Sequence, residues 1–215
     1  MMPPIGRICR TLLIFGTLVS SQPAHSGAYD DMLKAVNTHD ADQVSALLRR
    51  GMDVNTTDPD GNTLLMLAAR NGDSQILEIL LRNKPNILKI NKYGDSALML
   101  AALRGSLVNV KALVLAGSDT APEGWTPLIY AAFAGHLEIV AYFLTLDVNI
   151  DAQSANGISA LMAASRNGHL EIVGILLEQG ADANLVNQDD KTALGMALAR
   201  KHTDIVSLLQ KAGGR

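Results

Sequence analysis

One unit recurs along the chain at a nearly fixed period, and it restricts the fold more than any other feature. It reads Gly61-Asn62-Thr63-Leu64-Leu65-Met66-Leu67-Ala68-Ala69-Arg70-Asn71-Gly72. It returns as Gly94-Asp95-Ser96-Ala97-Leu98-Met99-Leu100-Ala101-Ala102-Leu103-Arg104-Gly105. Further copies run from Gly124 to Gly135 and from Gly157 to Gly168, and a worn copy begins at Asp190. The copies start at positions 61, 94, 124, 157 and 190, so the steps are 33, 30, 33 and 33 residues. A period of this size marks a stack of like units, each too small to bury its own apolar face and each relying on its neighbours. Such arrays act chiefly by binding, through a surface that many units build together.

Within a unit the local signals agree. Thr63, Ser96, Thr126, Ser159 and Thr192 stand at matching positions, where a side-chain oxygen can cap a helix. Pro127 falls at the first helical position, where its missing N–H costs nothing. Gly72, Gly105, Gly135 and Gly168 then supply the left-handed end of a short first helix. A second helix follows, with apolar residues at helical spacing: Ile76, Ile79 and Leu80, then Leu137, Ile139, Val140 and Phe143, then Leu170, Ile172, Val173, Leu176 and Leu177. An extended link such as Gly180-Ala181-Asp182-Ala183-Asn184 leads to the next unit. The chain is 48% hydrophobic but only 4% aromatic, which suits thin helices packed closely rather than a bulky sandwich core.

These motifs resemble the ankyrin repeat family. The likeness is carried by Thr126-Pro127-Leu128-Ile129-Tyr130-Ala131-Ala132, by Gly135-His136-Leu137-Glu138-Ile139-Val140, by Gly168-His169-Leu170-Glu171-Ile172-Val173 and by Gly180-Ala181-Asp182-Ala183-Asn184. It covers residues 28 to 213 and implies an all-α solenoid of stacked helix–turn–helix units with hairpin loops. The expected division is an N-terminal capping unit over 27–59, then units over 60–92, 93–122 (shortened), 123–155 and 156–188, and a C-terminal capping unit over 189–215.

Residues 1–26 read as a cleaved signal peptide. Arg7 and Arg10 form a basic region, Thr11 to Val19 a short apolar run, and Ala24-His25-Ser26 a small-residue cleavage site before Gly27. The apolar run is far shorter than the ~20 residues that span a bilayer, so no membrane span is expected in the mature chain. Cleavage takes the net charge from −3 to −5 and removes Cys9, the only cysteine. A thiol-free chain suits an oxidising compartment, so a bacterial, periplasmic or secreted protein is expected.

Two departures from the family pattern stand out. The family places a His at the fourth position of its Thr-Pro-Leu-His stretch, where this chain has Met66, Met99, Ile129, Met162 and Gly195. Apolar packing is expected to replace the hydrogen bonds of that His. The second departure is the step of 30, which clips the link Gly117 to Glu123 by three residues and leaves a notch in the row of loops, just before Trp125.

The chain carries little that asks for catalysis. His136, His169 and His202 recur with the repeat, and equivalent positions in adjacent units lie about a helix–helix distance of 8–10 Å apart. Zinc ligands instead converge within ~2.1 Å of one ion. No nucleophile elbow, phosphate loop or metalloprotease motif is present. Asp30-Asp31 and Asp189-Asp190 read as solvated pairs. The 18 basic residues are scattered among 21 acidic ones, which argues against nucleic acid. The expectation is therefore a non-enzyme, without cofactor or metal, monomeric, with a protein partner.

The family likeness places partners on the loop tips and the exposed side of the first helix. By position that selects Tyr93, Leu103, Trp125, Phe133 and Ile158 as apolar contacts and Arg70, Arg104 and Arg166 as flanking cations. Aromatic anchors beside arginines match the make-up of interface hot spots. The competing expectation is that Trp125 and Phe133 fold inward to fill the notch. The function expected is an exported module that binds, inhibits or scaffolds another periplasmic protein. The alternatives are a maintenance factor that stabilises a resident enzyme, and a hydrolase with an unrecognised site.

Overall fold

The computed structural model describes residues 24–214, so the basic and apolar segments of the expected signal peptide lie outside the described residues. The expected cleavage position after Ser26 falls in the first turn of the first helix. Twelve helices follow in order among the described residues: α1 (Ala24–Asn37), α2 (Ala41–Arg49), α3 (Leu64–Asn71), α4 (Ser74–Arg82), α5 (Ala97–Arg104), α6 (Leu107–Leu115), α7 (Pro127–Ala134), α8 (Leu137–Leu144), α9 (Ala160–Asn167), α10 (Leu170–Glu178), α11 (Ala193–Arg200) and α12 (Thr203–Lys211). There is one isolated β-bridge, Thr57 to Thr63, and no named strand among them. No helix among the described residues is long and apolar enough to cross a membrane.

The helix ends follow the chemistry of the repeat. Thr63, Ser96, Thr126, Ser159 and Thr192 each accept the backbone N–H three residues on, which satisfies one orphan donor of the first turn. Gly105 closes α5 at φ 87°, in the left-handed region that L side chains avoid. The first two methionines at the His position do more than fill space. The sulfurs of Met66 and Met99 accept the backbone N–H of Thr63 (3.4 Å) and Ser96 (3.2 Å). A weak acceptor thus stands where apolar packing alone was expected.

The first helices α3, α5, α7, α9 and α11 pack on one another far more closely than the second helices do. Their Ala pairs explain this: Ala68-Ala69, Ala101-Ala102, Ala131-Ala132 and Ala163-Ala164 are buried and let the backbones approach. A stack that is tighter along one row bends toward it, so the first helices form the inner row and the second helices the outer row. Between the rows lies a continuous core, with Leu64, Leu98, Leu113, Val140, Phe143, Val173 and Leu176 sealed from solvent.

Histidines tie one unit to the next. His136, His169 and His202 precede α8, α10 and α12, and none makes a side-chain cap bond there. Instead Nε2 of each lies 3.0–3.2 Å from the carbonyl of Leu103, Phe133 or Arg166 at the end of the preceding inner helix. Each ring packs against the closing glycine of that helix, so a Cβ on Gly105 would collide with His136. The N-terminal outer helices use Asp40, Asp73 and Ser106, which do cap.

One outer-row residue breaks the pattern. Asn109 is fully buried where the equivalent positions hold Ile76, Ile139, Ile172 and Ile205, and neither amide atom finds a hydrogen-bond partner among the described residues.

Candidate functional site: the inner-helix row and the interrupted loop row

The loop row is regular except at the shortened link. Four loops close a tight turn through a side-chain acceptor: Asp58, Asn91, Ser154 and Asn187 each accept the N–H four residues on, at 2.8–3.0 Å. The equivalent residue of the short link is Ala121, which has no oxygen to offer. The loops also pair. Lys92 N–H donates to Asp60 O (3.1 Å) and Asn91 Nδ2 to Asn62 Oδ1 (2.8 Å) on one side. Gln188 donates to Asn156 O (3.1 Å, backbone) and Ala155 O (2.7 Å, side chain) on the other. Among the described residues, 118–125 form no hydrogen bond to the link on either side.

The notch is therefore a cleft. It has a volume of about 310 Å³ and is lined by Ile87, Leu88, Ile90, Met99, Pro122 and Glu123, among others. Leu88 and Ile90 are 64% and 61% exposed, and Tyr93 at the neighbouring tip is 75% exposed.

Trp125 does not line this cleft. It is half-buried against α7, with its ring 5.1 Å from Tyr130 and 5.9 Å, edge-to-face, from Phe133. These separations suit favourable aromatic pairs. Phe133 remains 38% exposed. The Tyr130 hydroxyl donates to Asp95 Oδ1 at 2.5 Å, which straps α7 to the 91–95 loop across the gap. Burial, and then the hydrogen bond and negative charge of Asp95, push the Tyr130 phenol well above its ordinary value of 10.0.

The remaining sequence-selected residues divide. Leu103 on α5 is 37% exposed and occupies the register of Phe133 on α7. Arg70 on α3 and Arg166 on α9 hold the same register on either side, and both are exposed. Arg104 is exposed, with its side chain lying over Gly72. The structure thus brings Leu103, Trp125 and Phe133 into one aromatic and apolar strip bounded by arginines. Ile158 does not join it. It is 7% exposed, because its N–H and carbonyl close the 154–158 turn and its side chain enters the core. Sequence reasoning missed Leu88, Ile90 and the Tyr130–Asp95 strap. Leu88 was detectable, since the matching link positions hold Asn55, Asp151 and Asn184.

The comparisons with known proteins agree with this architecture. A family profile described as Ankyrin repeats (3 copies) matches residues 32–122, 86–154, 109–187 and 143–214. The chain belongs to the ankyrin repeat family. It is similar to the human Notch-regulated ankyrin repeat-containing protein, 36% identical over 94 residues, which is 40% of this chain and 82% of that protein. It is also similar to the chicken Nuclear factor NF-kappa-B p105 subunit, 33% identical over 135 residues, which is 59% of this chain and 14% of that protein. A transient receptor potential channel homolog of Caenorhabditis elegans matches at 34% over 105 residues, 48% of this chain and 9% of that protein. Ankyrin repeats generally mediate protein–protein interaction and typically serve as non-catalytic binding modules. In this ankyrin array no group of His, Cys, Asp and Glu among the described residues could hold a metal ion. The three recurring histidines each contact a separate carbonyl instead.

Proposed function

We propose that this protein is an exported, non-catalytic binding module that captures another protein of the periplasm and inhibits, shields or scaffolds it. The observation that carries the reading is the partly exposed Leu103, Trp125 and Phe133 strip on the inner row, with Arg70, Arg104 and Arg166 at its margins. An exposed apolar strip rimmed by polar groups is the signature of an interaction surface. The aromatic pairs hold it rigid before a partner arrives, which reduces the ordering cost of binding.

Two measurements test this. Trp125→Ala combined with Phe133→Ala removes partner capture in a pull-down while the helical circular dichroism signal persists. Capture that survives the double change refutes the strip as the docking surface. Export is read by N-terminal sequencing of the mature protein, which begins at Gly27 on this reading. A mature chain that keeps Arg7 and Arg10 refutes it.

A further inference from the structure

At the C-terminal end of the inner row, three cations from three elements line one cleft. Arg166 comes from α9, Arg200 from α11 and Lys191 from the loop before α11. The cleft has a volume of about 350 Å³, and Asn156 and Asn187 also line it. Its single carboxylate is Asp189. All three cations are exposed. Neither of the two ion pairs among the described residues, His39–Asp73 and Arg82–Glu78, involves them.

The position is built. Ala199 occupies the register that holds Arg70, Leu103, Phe133 and Arg166 on the other inner helices, and its small side chain opens the cleft between α9 and α11. Met196 and Ile158, each 7% exposed, form apolar floor. The two loops at the mouth are tied by the Gln188 bonds and by Gln153 Nε2 to Val186 O (2.9 Å). The His202 ring on the Arg166 carbonyl fixes the end of α9.

Charge is sorted, too. The chain has more acidic than basic residues, yet α3, α5, α7, α9 and α11 contain four arginines and no carboxylate. The helix dipole favours cations in a last turn and accounts for part of this. It does not account for Lys191, which lies in a loop.

We propose that this cleft is a carboxylate-binding subsite that receives an acidic segment of the protein partner. The inference rests on the docking surface proposed above and adds the chemistry of what docks. Guanidinium groups pair with carboxylates in a planar, two-pronged geometry, which makes Arg166 and Arg200 the anchors and Lys191 a supporting point charge. The neighbouring Leu103, Trp125 and Phe133 strip takes an apolar side chain of the same segment. A phosphate backbone fits less well, because a nucleic acid needs a long, unbroken row of cations and this cleft gathers only Arg166, Lys191 and Arg200.

The test uses the mature chain and three probes, read by Trp125 fluorescence and by NMR shifts. The first is a capped Glu-Glu-Phe-Glu-Glu peptide. The second is the same peptide with Gln for Glu. The third is a twelve-nucleotide oligothymidine. The Glu peptide binds about tenfold more tightly than the Gln peptide at low salt, and the advantage shrinks as salt is raised. In Arg166→Gln with Arg200→Gln, two surface changes, the advantage disappears while binding of the Gln peptide is unchanged. Equal binding of the two peptides, no binding of either, or an advantage that survives the double variant overturns the proposal. Tighter binding of the oligonucleotide overturns it in favour of a nucleic-acid site. Partner capture lost in the Trp125 and Phe133 variant but kept in the arginine variant leaves the docking surface standing without the carboxylate subsite.

Discussion

Replacing Asn109 with Ile makes the protein more stable. The side chain is fully buried, both amide atoms lack partners, and every equivalent outer helix from α4 to α12 places a buried Ile there. An unpartnered buried amide costs about 1–3 kcal/mol. Burying the aliphatic side chain adds about 1.5–3 kcal/mol relative to leaving it in water. Against this stands the extra volume, since overpacking costs about 1–3 kcal/mol where the surroundings cannot yield. The net expectation is a gain of about 2 kcal/mol, or a rise of about 4–8 °C in Tm for a chain of this size. Urea unfolding followed at once by circular dichroism and by Trp125 fluorescence reads it. Dichroism reports the whole array and the single tryptophan reports the unit next to the change. Asn109→Val separates overpacking from polarity, because Val fits in a smaller space. If Ile and Val both lower the urea midpoint, the amide is satisfied in solution and the reasoning is wrong.

Three further outcomes follow from the geometry. Tyr130→Phe removes the strap to Asp95 and costs about 1 kcal/mol, measured as a lower urea midpoint with unchanged helix content. The Tyr130 phenol is raised in the folded state, so its share of stability is intact below pH 10.0, its ordinary value, and is lost as the pH climbs from there toward the folded-state value. Stability measured from pH 9 to 11 therefore falls less in Tyr130→Phe than in the parent, and parallel curves contradict the assignment. Gly105→Ala costs at least about 1 kcal/mol more than Gly117→Ala. Both have positive φ, but only at Gly105 does the new Cβ meet a ring, that of His136; equal losses mean that the ring does not hold the helix end.

Much of the fold is legible in the residues because each unit is redundant. Helix starts are written five times and glycine helix ends four times, so Thr126 and Gly135 are readable from Thr63 and Gly72 even where Tyr130 and Phe133 depart from the pattern. Position alone could not decide orientation. Ile158 and Trp125 occupy the same place in the repeat, yet one enters the core and the other lies half-buried on α7. The links before them also differ. Ser154 supplies an acceptor that closes the turn over Ile158, whereas Ala121 supplies none before Trp125. The ties made by the histidines were invisible for a related reason. Their repeat spacing was plain, but their contacts run to carbonyls of the preceding unit, and a backbone acceptor leaves no mark in a sequence.

The interruption is confined to one edge of the array, and that shapes the docking surface. In a stack, each unit contacts only its neighbours, so a loss at one junction is not made good by distant units. Ala121 and the three missing residues remove the loop-to-loop hydrogen bonds on both sides of this link, at the junctions of α7 with α5 and with α9. The inner helices there pack as closely as at the other junctions, and His136 bonds the end of α5 as its counterparts do elsewhere. What the loops lose, the Tyr130–Asp95 strap replaces in part. The base of the surface, Leu103 and Phe133, is thus held by a regular junction, while the tips above it, Leu88, Ile90 and Tyr93, stand beside an open cleft. A deletion that merely weakened the array would leave apolar residues buried or replaced by polar ones. Here Leu88 stands where the matching links carry Asn or Asp, exposed at the one place where a neighbouring loop is too short to cover it.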